Sequence, residues 1–139
     1  MPGFCVNGTG QCRAPSDQKD PRLEIRVKRI YEPPEPADGY RLLVDRLWPR
    51  GVSRSSASLD AWMKEIAPSS ELRAWFGHDV SRWHEFKQRY AVELDACQNL
   101  VAEIFSLARD HPVTLLYSAR DRDHNQAVAL AEYLAAKAG

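Results

Sequence analysis

The stretch Leu42-Leu43-Val44-Asp45-Arg46-Leu47-Trp48-Pro49-Arg50-Gly51 joins an apolar run to a loop that is rich in charged and aromatic residues. The three branched apolar residues at its start predict the end of a strand that is buried on both faces. Pro49 and Gly51 predict that a loop follows the strand. Because ligands of open α/β sheets bind beyond the carboxyl ends of strands, we expect residues 45–51 to form part of a binding site.

Two more segments of the chain have the pattern of strands. Residues 25–31 alternate apolar and basic side chains, which predicts a strand with one solvated face. Residues 113–117 are mainly apolar and begin with a β-branched valine, which predicts a short buried strand. The strand that contains the quoted apolar run covers residues 40–47. A long helical connection joins this strand to residues 113–117, which predicts that these two strands are parallel. The first two strands are joined by only about nine residues, and so short a connection favours an antiparallel pair.

Apolar residues spaced by three and four predict two short helices in the middle of the chain. Residues 59–66 have this spacing and follow a polar segment at 53–58, which is predicted to be a loop. Residues 70–76 have it too, with Ser69 as a good N-cap and Gly77 as a natural stop.

The same periodicity predicts longer helices in the second half of the chain. Ser81 is expected to cap a helix, or a pair of helices broken near Ala96, that runs to residue 109. A terminal helix is predicted at residues 124–138. The order strand, strand, helices, strand, helix places the chain in the α/β class.

Composition predicts one domain with an N-terminal tail. Residues 1–23 are rich in Gly, Pro, Ser and Asp without periodicity and are expected to form a flexible tail, and residues 24–139 a single α/β domain. Nineteen basic and nineteen acidic residues cancel, which argues against a general nucleic-acid or membrane-surface binder. Without a membrane span or a secretory signal, the expected location is cytoplasmic. Three cysteines give no disulfide framework, and no metal or cofactor is expected.

Chemistry-bearing residues follow two of the predicted strands. If these strands are parallel, both end at one edge of the sheet. One loop there would carry Asp45, Arg46, Trp48 and Arg50, and the other would carry Ser118, Arg120 and Asn125 at the start of the last helix. Arg50 and Arg120 could each donate two hydrogen bonds to a phosphate or carboxylate. Trp48 could stack on a planar ligand, and the amino end of the last helix could bind an anion.

Each of these residues also has a structural interpretation. Arg46 with Asp45, and Arg120 with Asp121, could instead be ion pairs that hold their loops. If a reaction is catalysed, the titratable candidates are Asp45, Lys64 and Glu65, although adjacent Lys64 and Glu65 are typical of a surface pair. Further pairs lack a complete motif: Ser118 and His124 have no nucleophile elbow, and His78 and His84 have no third metal ligand.

The motifs of the two loops carry a family resemblance. The segments Lys28-Arg29-Ile30-Tyr31 and Asp38-Gly39-Tyr40-Arg41-Leu42-Leu43-Val44-Asp45-Arg46-Leu47-Trp48-Pro49-Arg50-Gly51 closely resemble the YeaO-like family of uncharacterised bacterial proteins, a branch of domain-of-unknown-function family 488. The resemblance continues through Leu115-Leu116-Tyr117-Ser118-Ala119-Arg120-Asp121 and covers roughly residues 25–135.

This resemblance implies a fold more than a function. It implies a small α/β domain with a mainly parallel sheet flanked by helices, a Rossmann-like three-layer arrangement, and therefore a parallel first strand. The wider family often carries Cys-x-Glu and Cys-His-Arg around the third strand. Here the similar segments read Tyr117-Ser118-Ala119 and Asn125-Gln126-Ala127, so no cysteine chemistry is transferred.

Three functional hypotheses follow. The first is that a small anionic ligand, phosphate- or nucleotide-like, binds between the loops at 45–51 and 118–125, with or without a reaction. The second is a nucleic-acid-binding or stress-associated accessory protein that uses the basic first strand and the arginine loops. The third is a protein-interaction module whose Trp and Arg loop contacts a partner. The sequence indicates no oligomeric state.

Overall fold

The computed structural model describes residues 24–138, so the predicted flexible tail at 1–23 lies outside the described residues. The four strands are β1 Ile25–Arg29, β2 Tyr40–Leu43, β3 Ala61–Trp62 and β4 Val113–Tyr117. The five α-helices are α1 Arg54–Ala57, α2 Ser70–Phe76, α3 Trp83–Asp95, α4 Gln98–Asp110 and α5 Gln126–Ala138. Single turns of 3-10 helix lie at Pro36–Asp38, Lys64–Ile66 and Val80–Arg82.

The strands form one parallel sheet in the order β1-β4-β2-β3. In the register of β4 with its two neighbours, Leu115 pairs with Val27 of β1 and with Leu42 of β2. The small α/β domain with a mainly parallel sheet is therefore confirmed. The antiparallel pairing of the first two strands is wrong, because β4 lies between them and both are parallel to it.

The core is divided unequally by the sheet. All five residues of β4 are buried, as expected for the inner strand of a parallel sheet. On one face, Leu42, Val44 and Leu115 belong to the larger cluster, to which helices α2 to α5 contribute. On the other face, Leu43 and Leu116 belong to a smaller cluster with side chains of the segment 48–62. No helix within residues 24–138 is long and apolar enough to cross a membrane.

The segment between β2 and α2 differs from the prediction. Residues 59–66 were expected to be helical, but they contain the two-residue strand β3 and a single 3-10 turn. The helical prediction was wrong because a strand of two residues is too short to show alternating apolar and polar side chains. The apolar residues of this segment are spaced as in a helix because they contact both β2 and the core. The predicted loop at 53–58 holds α1, which is capped by the Ser53 side chain.

The boundaries of α2 follow local capping chemistry, whereas α3 and α4 begin without a side-chain cap. Ser69 caps α2 by accepting a hydrogen bond from the Leu72 N–H, and Gly77 ends it in the left-handed conformation, both as predicted. The long helical segment is a pair, which breaks between α3 and α4 at Ala96. The expected cap Ser81 is wrong, because Ser81 lies inside a 3-10 turn that is capped by Asp79.

A buried ionic network holds the β1–β2 connection against the sheet. Asp38 accepts hydrogen bonds from Arg41 Nη1 at 2.5 Å and from Lys28 Nζ at 3.0 Å. Burial raises the pKa of Asp38, but hydrogen bonds from the Glu35 N–H, Lys28 and Arg41 outweigh that effect and hold the pKa below its ordinary value. Thr114 Oγ1 donates to the Asp38 carbonyl at 2.6 Å, which ties this network to β4.

Gly39 lets this connection enter β2. Its φ of 65° and ψ of −129° belong to a backbone region that is nearly exclusive to glycine. A Cβ atom added there would lie 2.3 Å from the Pro112 carbonyl oxygen, which accepts the Tyr40 N–H at 2.8 Å.

We predict that Gly39→Ala lowers the free energy of unfolding by about 3 kcal/mol, because strain of about 1–2 kcal/mol adds to the clash. Gly51→Ala is the matched control: φ is 78° and an added Cβ meets nothing within 4 Å, so only the strain remains. Urea unfolding of both variants measures the difference. Equal losses would contradict the clash at Pro112.

Candidate functional site

The parallel pairing of β2 with β4 brings two loops together. Beyond the last paired residues, the Val44 N–H donates to the Leu116 carbonyl at 3.1 Å, so the strands leave the sheet side by side. A cavity of about 290 Å³ lies between the loops that follow them. Its polar lining consists of Asp45, Arg46, Arg50, Arg73, His78, Ser118, His124, Asn125 and Gln126.

The structure brings six of the nine residues selected from the sequence to this cavity. They are Asp45, Arg46, Trp48, Arg50, Ser118 and Asn125. Arg120 is exposed and is not among the lining residues. Lys64 and Glu65 are also exposed and lie outside the lining, and the Lys64 ammonium lies 5.4 Å from the centre of the Trp62 ring.

Asp45 is the buried carboxylate of the cavity, with 7% of its surface exposed. Its Oδ1 accepts a hydrogen bond from Gln126 Nε2, whereas Oδ2 has no hydrogen-bond partner of good geometry among the described residues. Burial raises the pKa of Asp45, and the neighbouring Ser118, Gln126 and Arg73 reduce this rise without cancelling it. A proton therefore remains on this carboxyl group at higher pH than on an ordinary aspartate.

The Arg46 side chain is held in the wall of the cavity by hydrogen bonds to backbone carbonyls. Its Nε and Nη2 donate to the carbonyls of Pro68 and Ala67, both at 3.1 Å, and within residues 24–138 it makes no ion pair with Asp45. The same turn is held from α3, where Glu93 accepts from the N–H of Ser69 at 2.8 Å. Arg46 therefore fixes the turn that precedes α2.

Arg50 and Arg73 provide unengaged positive charge. Both side chains line the cavity, and neither guanidinium makes a hydrogen bond or ion pair with another residue in the described part of the chain. Arg73 acts on Asp45 through its charge. A guanidinium presents five N–H donors in a planar fork that matches phosphate or carboxylate oxygens.

Two histidines complete the polar lining. His78 follows Gly77 at the end of α2 and has a φ of 59°, a left-handed conformation that is strained for a residue with a Cβ. His124 Nδ1 lies 3.0 Å from Asp121 Oδ2, so within residues 24–138 only its Nε2 is without a partner. Hydrogen bonds from the N–H of Asp123 and from His124 hold the pKa of Asp121 below its ordinary value. No three His, Cys, Asp or Glu residues of 24–138 form a group that could hold a metal ion.

The remaining predicted residues shape the cavity through structural contacts. Trp48 Nε1 donates to the Val52 carbonyl at 2.7 Å, and its ring meets Trp62 edge-on at 5.4 Å between centroids. Asn125 caps α5: its Oδ1 accepts the Val128 N–H at 3.0 Å. Its Nδ2 donates at 2.9 Å to the Asp121 carbonyl, so both polar ends of the amide are occupied.

Arg73, His78 and Gln126 line the cavity but were not selected from the sequence. Arg73 and His78 lie on and just after α2, where the pattern predicted only a helix and its stop. The sequence did contain one indication of His78. A polar residue directly after the glycine that ends a helix is exposed at a turn, and His78 has that position.

The comparisons with known proteins agree on one family. Residues 24–138 match the family described as "Inactive DUF488-N3 subclade". The chain is 44% identical over 112 residues to the Escherichia coli (strain K12) "Uncharacterized protein YeaO", an alignment that covers 81% of this chain and 97% of that protein. It is 40% identical over 110 residues to an uncharacterized protein of Mycobacterium tuberculosis, with 79% of this chain and 92% of that protein covered.

No solved structure matches the chain. The family match spans all the described residues, and the alignment to the Escherichia coli protein covers nearly all of that relative. The chain therefore belongs to the YeaO-like DUF488 family, within the subclade described as inactive.

Proposed function

We propose that this protein binds a small anionic ligand, phosphate- or nucleotide-like, in the cavity between the loops at 45–51 and 118–125. One observation carries the proposal: Arg50 and Arg73 line an open cavity with guanidinium groups that no described residue engages. Both side chains are exposed, and two positive charges beside one cavity attract an anion from solution.

The dimensions of the cavity limit the ligand. A volume of about 290 Å³ lies at the lower end of the range for ligand pockets and holds about ten water molecules. Phe76, Phe86 and Pro68 add an apolar wall to the polar lining. A phosphate, a small phosphorylated metabolite or a mononucleotide fits this description, whereas a dinucleotide exceeds it.

The family description supports a protein that binds the anion without catalysing a reaction. The subclade is described as inactive, and the loops carry Ser118 and Asn125 at the segments where the wider family has thiols. Lys64 and Glu65 lie outside the cavity, which leaves Asp45 as its one carboxylate among the lining residues. Asp45 in this proposal tunes the charge of the site.

The nucleic-acid alternative draws no support from the basic first strand. Arg26 donates to Glu24 and to the carbonyl of Ala37, and Lys28 donates to Asp38. Cations that are already paired within the fold contribute little to phosphate-backbone binding. The alternative is tested by the salt dependence of binding to an oligonucleotide.

We predict that Arg73→Ala and Arg50→Ala each weaken binding of inorganic phosphate or a nucleoside monophosphate by about tenfold or more, because a hydrogen bond to a charged group contributes about 1.5–3 kcal/mol. Thermal unfolding with increasing ligand measures the effect, since ligand at about a hundred times its Kd stabilises the wild type by roughly 2.7 kcal/mol.

The matched control is Arg109→Ala, which removes one exposed arginine from the end of α4, at the opposite edge of the sheet. Equal weakening in all three variants would mean that only net charge matters. Stabilisation of the wild type by none of the ligands would contradict the proposed function.

We predict that the affinity for sulfate falls several-fold as the pH rises through the raised pKa of Asp45. Sulfate is the chosen probe because its own charge does not change as the pH rises through that pKa. The sign follows from the proton: below that pKa the carboxyl group is neutral, and above it a negative charge opposes the anion. The variant Asp45→Asn stays neutral throughout. The difference between the wild-type and variant pH profiles, measured by calorimetric titration, isolates Asp45 from the histidines. Parallel profiles would exclude Asp45 from the anion's surroundings.

A further inference from the structure

Arg29, the last residue of β1, and Tyr31, just after the strand, contact the two loops of the cavity from outside. Arg29 donates from Nε to the Ala119 carbonyl at 2.9 Å and from Nη2 to the Ser118 carbonyl at 3.4 Å. Its guanidinium lies 4.6 Å from the centre of the Tyr31 ring, and Tyr31 Oη donates to the Arg50 carbonyl at 2.8 Å. None of these contacts pairs one strand of the sheet with another. Their common effect is to fix the backbone of the two loops.

The two contacts of Arg29 determine the direction of two peptide groups. In a trans peptide the C=O and the following N–H point in opposite directions, because the group is planar. Since the carbonyls of Ser118 and Ala119 both point toward Arg29, the N–H groups of Ala119 and Arg120 both point away from it. Arg29 approaches from β1, whereas the cavity lies between β4 and β2, on the other side of β4.

Successive N–H groups that point to the same side of the backbone can bind one anion together. Neither the Ala119 N–H nor the Arg120 N–H donates a hydrogen bond within the described residues, although Ala119 lines the cavity. We propose that these two backbone N–H groups hold the anion in the cavity, with Arg29 as the positioning residue that orients them and Arg73 as the opposing charge. This inference rests on the proposed function and specifies how that site recognises its ligand.

The proposal gives a role to the segment around Arg120 that its exposed side chain does not explain. Arg120 is absent from the cavity lining, but its backbone N–H follows that of Ala119, which lines the cavity, in the segment that Arg29 fixes. It also explains why a buried carboxylate is tolerated at an anion site. Two peptide donors and Arg73 face the ligand and counteract the repulsion from the Asp45 carboxyl group, whose pKa is raised by burial.

The direct test is a titration of the ¹⁵N-labelled protein with inorganic phosphate, followed by NMR. The amide protons of Ala119 and Arg120 are expected to move downfield and to saturate together, because an oxyanion deshields the N–H that it accepts. The Nε–H signal of Arg73 reports independently that phosphate has entered the cavity. A response of Arg73 with both amides unmoved would overturn this inference and leave the proposed function standing. No response anywhere would overturn both.

Variants of Arg29 separate orientation from charge. Arg29→Ala is expected to weaken phosphate binding by about tenfold, and Arg29→Lys by a similar factor, because one ammonium group cannot hold two carbonyls with the geometry of a guanidinium fork. Arg26→Ala, on the same strand, removes the same charge from an exposed position and is expected to bind as the wild type does.

The result that would overturn the positioning role is wild-type affinity in Arg29→Lys, which would mean that the positive charge alone matters. If Arg29→Ala does not fold, Arg29→Lys and the wild-type amide shifts still decide the question.

Discussion

The parallel pairing of β4 with both β1 and β2 is the constraint on which the site depends. Parallel strands end at one edge, so the chain leaves β2 at Asp45 and β4 at Ser118 next to each other, although 72 residues lie between them in sequence. The inner position of β4 requires complete burial, and its apolar sequence meets that requirement. The pairing of the strands thus brings the loops beyond them together.

Once the loops are adjacent, hydrogen bonding divides their cations into two groups. Arg46 and Arg29 donate to backbone carbonyls and so fix the turns that surround the cavity. Arg50 and Arg73 face the cavity without a described partner. Both of these side chains are exposed, and an exposed charge contributes little to folding stability with or without a partner. This division is the physical basis for proposing an anionic ligand.

The sequence predicted the parts of the fold that rest on local chemistry or long periodicity. The strands at β1, β2 and β4, the capping of α2 by Ser69 and the loop at 45–51 follow from such patterns. The order of strands was missed because a length argument assumes that sequential strands are neighbours, and the insertion of β4 is a tertiary property. Arg73 was missed for a related reason: its place at the cavity depends on where α2 packs, which no spacing within α2 reveals.

We infer that an oxyanion occupies the cavity between Arg73 and the segment after β4. This inference can be tested by soaking a crystal with tungstate, an anomalously scattering analogue of phosphate. We expect an anomalous peak within hydrogen-bond distance of the Arg73 guanidinium and the N–H groups of Ala119 and Arg120. Tungstate peaks elsewhere on the surface, with none in an accessible cavity, would contradict the inference.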